Sequence, residues 1–435
     1  MSALRASVCL LITFSVLAFG AVQVWSQSIL EIGAGALLVV WAVLAIRNPA
    51  SKIQWNDLNW PLLGLIAIGL LQLAFGGSAY AFLTRTELLK LGAYFVIFFL
   101  LAQLFYDRSA LASLGWYLIV LCFAVSLLGI IQHFTSESEI YWMSSLNIRG
   151  DSFGPYVNRN HFAGFVELTL PVGLALIIFR GVRKDLLPLL IVLTIVPISA
   201  LVLAGSRGGI ISFAFELCLL IGLARFQGHR GGSSLAVLGV AALAAVALVG
   251  WLGAGKAVQR FSEQKADVAL SRRISMFRGT AHVFFDHPIK GSGLGTLVSV
   301  YPRYETVYDG LVVDHAHNDY IEALAETGIL GGFCGLAFLI LLYRNAIKGF
   351  SSSQGQFSRA LRAGAIVAVS GLLLHSFFDF NLHIPSNALL FLVQAFVATS
   401  APIHADAHGG RAAGNREVSS EETPRLARVG EMFAK

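Results

Sequence analysis

The sequence predicts an all-α integral membrane protein, a bundle of about twelve spanning helices with one large extramembrane loop. Three observations carry this expectation. Of 435 residues, 56% are hydrophobic and only 13% charged, about half the charged share of a soluble domain. Aliphatic runs of about 17 to 22 residues recur along most of the chain, each long enough to cross about 30 Å of hydrocarbon as a helix. None of them alternates as a barrel strand would, and backbone groups in lipid must be satisfied within the segment.

Taken in order, the spans are expected near residues 6–25, 28–46, 60–76, 88–106, 110–132, 161–179, 186–204, 209–224, 235–252, 328–343, 360–380 and 386–400. The first run, Ala6 to Trp25, lacks a small-residue cleavage site and is followed at once by a second apolar run, so it reads as a retained span rather than a signal peptide. Cys9, Cys122, Cys218 and Cys334 all fall inside apolar runs and read as small core residues, not as disulfide or metal ligands. The formal charge of +6 matters less for its sign than for the side of the membrane on which each charge lies, and no nucleic-acid partner is expected.

Placing the amino terminus in the cytoplasm makes every short inside loop basic: Arg47 and Lys52, then Arg108, then Arg180, Arg183 and Lys184, then Arg225 and Arg230, then Arg344, Lys348, Arg359 and Arg362. That is the positive-inside pattern. The membrane domain covers residues 1–400, with a large outside loop at 253–327, and a charged, Gly- and Ser-rich tail at 401–435 reads as disordered. The loop is too long to be a passive connection. It reads as helical around Arg272 to Phe285, broken by Pro288 and Gly291, Gly293 and Gly295, and helical again from His317.

The residues able to do chemistry gather on the outside. Arg207 sits in the tight turn Ala204-Gly205-Ser206-Arg207-Gly208-Gly209, where it reads either as snorkelling to lipid phosphate or as an anion-binding group. Arg272 and Arg273 precede Phe277 in the long loop, and two guanidinium forks on one side of a membrane can hold a pyrophosphate bidentately. The run Asp314-His315-Ala316-His317-Asn318-Asp319-Tyr320 places imidazoles at the start of a returning helix, and histidine is the side chain best suited to accept a proton near neutral pH. Its plainer reading is helix capping by Asn318 or Asp314. His315, His317 and Asp314 show no further ligand at metal-binding spacing, so neither metal nor cofactor is expected. Asn158, Arg159, Asn160 and His161 open a span that carries Glu167. His375, Asp379 and His383 lie four apart, as if on one helical face, able to bind sugar hydroxyls or to support the base. Gly291 to Gly295 lacks the flanking strand of a nucleotide loop and reads as a turn.

The stretches VNRNHFAGFVELTLP, GSRGG, RISMF with FFDHPIKGSGLG, HAHNDYIEALAETGILG and HSFFDFNLHIPSNALLF, in this order from about residue 157 to 395, resemble the O-antigen ligase and polymerase superfamily. The resemblance implies a GT-C-like bacterial inner-membrane glycosyltransferase that takes a glycan from undecaprenyl pyrophosphate at the periplasmic face and passes it to an acceptor hydroxyl of a glycan or of lipid A-core. It implies neither metal nor nucleotide. Arginines said to hold the pyrophosphate correspond to Arg207 and Arg273, and the proposed catalytic histidine to His317, with Phe277 where many relatives carry tryptophan. Arg272, His315, Asn318, Asn158, Arg159, Asn160, His161, His375 and Asp379 are the expected substrate-binding residues. Within the family a polymerase, a lipid A-core ligase and a protein O-oligosaccharyltransferase stand as alternatives. A polysaccharide flippase or secondary transporter is the competing class, and would place charged residues within central spans.

Overall fold

The computed structural model describes residues 1–48, 52–136, 139–143, 152–228, 239, 265–306 and 310–400, with the backbone alone for 265–270. The described residues belong to one unit. Thirteen α-helices lie among the described residues: α1 (Ser2–Leu17), α2 (Val24–Ile46), α3 (Asn59–Ala74), α4 (Ala81–Leu104), α5 (Arg108–Thr135), α6 (Arg159–Ile178), α7 (Leu187–Ala204), α8 (Arg207–Phe226), α9 (Lys265–Asp286), α10 (Leu297–Val300), α11 (Asp319–Ser351), α12 (Gln356–His375) and α13 (Pro385–Thr399). Eight helical stretches are long and apolar enough to span a membrane, and α1, α3 and α13 are shorter apolar helices. The chain is a multi-pass, all-α membrane protein. The span expected at 235–252 and the tail at 401–435 lie outside the described residues, and so does the first part of the long loop.

Burial separates helices that face the protein from helices that face lipid. Every residue of α6 from His161 to Ile178 is buried, and α6 packs most extensively on α12. Gly364 allows that approach, because a Cβ there would stand 2.7 Å from the Val172 Cα. In α2, by contrast, only Ser26, Leu30, Ala34 and Trp41 are buried, a single stripe at helical spacing. Its exposed Val24, Ile32, Val39 and Ile46 suit a lipid-facing surface, where apolar exposure costs nothing.

The helix boundaries depart from the expected spans in places. The first helix stops at Leu17 and breaks into a tight turn at Phe19–Ala21 around Gly20, whose φ is +72°. Helix α4 begins seven residues earlier than expected, at Ala81, and α11 runs continuously from Asp319 through the expected span at 328–343 to Ser351. A single non-helical residue, Gly328 (φ +63°, ψ −164°), bends it. Helix α12 ends at His375, not 380. The carbonyls that would continue it are taken from outside: Ser376 O accepts from the Asp319 N–H at 3.0 Å and Phe377 O from the Asn318 side-chain amide at 3.1 Å.

Beyond the spans, α9, α10 and the start of α11 share a small core of Met276, Val283, Leu297, Tyr301, Ala316 and Ala325. The glycine run is the turn the sequence suggested. Its amides are already committed, since the Glu326 carboxylate accepts from Gly295 N at 2.8 Å and Leu297 N at 3.0 Å. Gln72 ties the same turn to α3 through Lys290 O and Glu326 O and through Leu294 N. A phosphate-cradling loop needs amides facing an open space, and these face a buried carboxylate.

Gly291→Ala tests this packing. Gly291 has φ +71° and its Cβ would stand 2.1 Å from the Glu326 carbonyl carbon, whereas Gly76, at φ +62°, has nothing within 4 Å. Gly291→Ala should cost about 3 kcal/mol or more and Gly76→Ala about 1–2 kcal/mol, read as loss of monodisperse protein and of Tm in detergent.

Candidate functional site

One end of the bundle gathers the starts of α6, α8, α11 and α13 and the ends of α7 and α12. Local sequence accounts for the way these ends form. Gly205 (φ +64°) closes α7, and Ser206 caps α8 by accepting from Gly209 N at 3.1 Å. Arg207 is therefore the first residue of α8 and is exposed. Asn158 caps α6 through the Asn160 amide at 2.8 Å. Asn318 caps α11 through Tyr320 N and Ile321 N, both at 3.1 Å. The plainer reading of Asn318 holds: its oxygen caps α11 and its amide group closes α12.

At the centre stands Asp379, 1% exposed, in the turn between α12 and α13. Three segments distant in sequence converge on its carboxylate. His317 donates from Nδ1 to Oδ1 at 3.1 Å. Asn160 donates to Oδ2 at 2.6 Å. The Arg273 guanidinium approaches Oδ2 at 3.8 Å, and His161 Nε2 lies 3.9 Å from Oδ1. The Phe380 N–H donates to Oδ1 at 2.9 Å, while the Phe380 ring lies edge-on to His161 and His317. Burial alone would raise the pKa of this carboxyl. The His317 hydrogen bond and the neighbouring imidazoles outweigh it and hold Asp379 well below the usual carboxylate range.

An ionised carboxylate only accepts hydrogen bonds, so the proton of a neutral His317 sits on Nδ1 and Nε2 keeps its lone pair. His317 has a left-handed backbone (φ +50°), a conformation that costs about 1–3 kcal/mol in a non-glycine residue and is concentrated at functional positions. Arg272, Arg273, Met276, Leu311, Val312, Asp314 and His317 line a cavity of about 380 Å³. One side of it is cationic, another apolar, and a candidate base faces it.

Of the residues singled out in the sequence, His317, Arg273, Asn160 and His161 thus meet at Asp379, with Arg272 on the same cavity wall. Arg207 opens α8 at the same end of the bundle, and the next residue, Gly208, packs on His375, where a Cβ would stand 2.6 Å from Nε2. The expected single face of His375, Asp379 and His383 is not formed, because α12 ends at His375 and the three diverge. His375 turns into the bundle and bonds Glu167 at 2.9 Å. His383 instead meets Asp319 at 2.8 Å and Glu322 at 3.3 Å. His315 also bonds Glu322, at 2.7 Å. Sequence reasoning missed Asp319, Glu322 and Glu326; their spacing of three or four residues along one helix was the available signal.

Asp379→Asn removes the charge that two imidazoles and a guanidinium face. It should cost about 3 kcal/mol at pH 7, as breaking a buried charge group does. Because the folded pKa is depressed, that contribution is complete above about pH 4 and is lost as the pH falls below it. Melting curves of wild type and Asp379→Asn in detergent should therefore differ near neutrality and converge in acid.

Comparison with known proteins adds one match and one absence. Residues 189–336 match the family model described as O-antigen ligase, and this stretch contains Arg207, Arg273 and His317. No curated protein matches the chain. The matched stretch ends before Asp379 and His383. The match covers residues 189–336, about a third of the chain, and together with the multi-pass helical fold it supports a relationship to the O-antigen ligase and polymerase superfamily.

Proposed function

We propose that the chain is an inverting glycosyltransferase that moves a glycan from undecaprenyl pyrophosphate to an acceptor sugar hydroxyl at the periplasmic face of the bacterial inner membrane. The observation that carries this reading is His317, oriented by Asp379, on the wall of a cavity shared with Arg272 and Arg273. A lipid-linked pyrophosphate needs cationic and apolar surface side by side, and this cavity has both.

In the proposed reaction, His317 Nε2 accepts the proton of the acceptor hydroxyl as its oxygen attacks the anomeric carbon. The bond from that carbon to the pyrophosphate oxygen breaks on the opposite face, inverting the centre. The departing lipid pyrophosphate carries away the electron pair, and Arg207 and Arg273 meet its charge. The amino end of α8 adds its own positive dipole beside Arg207. Asp379 stabilises the imidazolium that forms. Arg272, His315, Asn318 and the segment Asn158-Arg159-Asn160-His161 then border the sugars, with His375 behind them. No metal or cofactor enters the chemistry. Basic residues at the opposite ends of the helices, among them Arg5 against Asp107 and the buried Arg362, agree with a cytoplasmic side there.

A second reading has one observation in its favour. Glu216 lies buried with neither carboxylate oxygen hydrogen-bonded, near the Glu167–His375 pair, and intramembrane acids are common in transport pathways.

Proteoliposomes given an undecaprenyl-pyrophosphate oligosaccharide, with and without lipid A-core, separate these readings. Transfer is expected, falling by about 10²–10⁴ in His317→Ala and by about 10²–10³ in Arg207→Ala or Arg273→Ala, with the fold intact. A ladder from donor alone marks a polymerase, and product only with lipid A-core marks a ligase. Donor crossing between leaflets without chemistry would overturn the enzyme reading and support translocation.

A further inference from the structure

We propose that His315, Glu322 and His383 form a Zn²⁺ site that clamps the segment before α11 to the turn before α13. His315 and Glu322 are seven residues apart and His383 comes from beyond α12, yet their ligand atoms all lie within 4.8 Å of one another. His315 Nδ1 and His383 Nε2 approach the same oxygen, Glu322 Oε1, at 2.7 Å and 3.3 Å. Zinc bonds of about 2.0–2.1 Å at tetrahedral angles put ligand atoms about 3.3 Å apart. Of the three edges, Glu322–His383 already has that length, Glu322–His315 needs to open by about 0.6 Å, and His315–His383 lies within 4.8 Å, differences of the size that side-chain adjustment covers.

The residues behind these ligands are arranged as they are around bound metals. His383 donates from Nδ1 to Asp319 Oδ1 at 2.8 Å, which directs Nε2 at the site, as carboxylate–histidine–metal triads do. Asp319 is itself fixed by the Ser376 hydroxyl at 2.7 Å and the Leu382 N–H at 3.2 Å. Glu322 is held through Oε2 by the Ala316 N–H at 2.8 Å and is 1% exposed. His315 is 28% exposed along its side chain, leaving a position for water as fourth ligand. Its ring is stacked on Phe380 at 4.3 Å, so its orientation is set as well.

Charge supplies the second argument. Asp319 and Glu322 are buried carboxylates, and ligating imidazoles are neutral, so a divalent ion balances the pair. His315 lies two residues from His317, and His383 four from Asp379, so the clamp would hold the segments carrying both members of that pair. The ion would touch no reacting atom, and the site stands independently of the proposed function.

The test uses full-length protein without a histidine tag, stripped by chelator in detergent, equilibrated with Zn²⁺ alone and washed. One zinc per chain is expected by mass spectrometry, with a raised Tm. His383→Ala and His315→Ala should retain close to none, while His287→Ala, at an exposed histidine elsewhere, should retain a full equivalent. No zinc on folded wild type, or equal zinc on His383→Ala, would overturn the site. Should the variants fail to fold, Co²⁺-loaded wild type decides the matter. A strong tetrahedral visible band supports the site, and only the weak band of six-coordinate cobalt refutes it.

Discussion

One end of this helical bundle is organised around one buried negative charge. Asp379 sits where α12 gives way to α13, 1% exposed, and such a carboxylate stays ionised only if donors and cations surround it. Those groups arrive on α6 as Asn160 and His161, on α9 as Arg273 and ahead of α11 as His317. Satisfying the charge therefore ties α6, α9 and the segment before α11 to one turn. The same requirement orients His317 and leaves its Nε2 facing the arginine-lined cavity. Stability and proposed chemistry depend here on one contact set.

Glycines make the surrounding geometry possible. Gly208 lets the start of α8 rest on the His375 imidazole, and Gly364 lets α12 lie directly on the α6 backbone. Gly291 and Gly328 lie so close to backbone on the neighbouring segment that a methyl group at either would overlap it. Near the middle of the membrane, close helix contact replaces the hydrophobic effect as the source of cohesion, since lipid offers apolar side chains an equally good environment. The fully buried α6 and the mostly lipid-facing α2 are the two extremes of this arrangement.

Most of the fold was legible in the sequence because span length and hydropathy are local properties. Helices α5, α6, α7 and α8 begin and end within a few residues of expectation, and α9 and the glycine turn were visible as a helical period followed by breakers. The candidate residues were legible as types: Arg207, Arg273 and His317 stood out as polar groups at membrane ends. Their partnerships were not. His317 and Asp379 are 62 positions apart, and His315 and His383 meet at Glu322, which looked like one acid on a helix. The assumption that His375, Asp379 and His383 continued one helical face failed for a tertiary reason, because α11 captures the carbonyls of Ser376 and Phe377.

The account makes Asp379 a residue that acts on transfer through His317, and kinetic coupling between the two tests this most directly. Transfer rates of folded Asp379→Asn, His317→Ala and the double variant would be compared with wild type. The account predicts strong non-additivity, the double variant being no slower than His317→Ala alone, because a base that is absent has nothing left to orient. Losses that multiply would contradict it, and would separate the buried carboxylate from the histidine it holds.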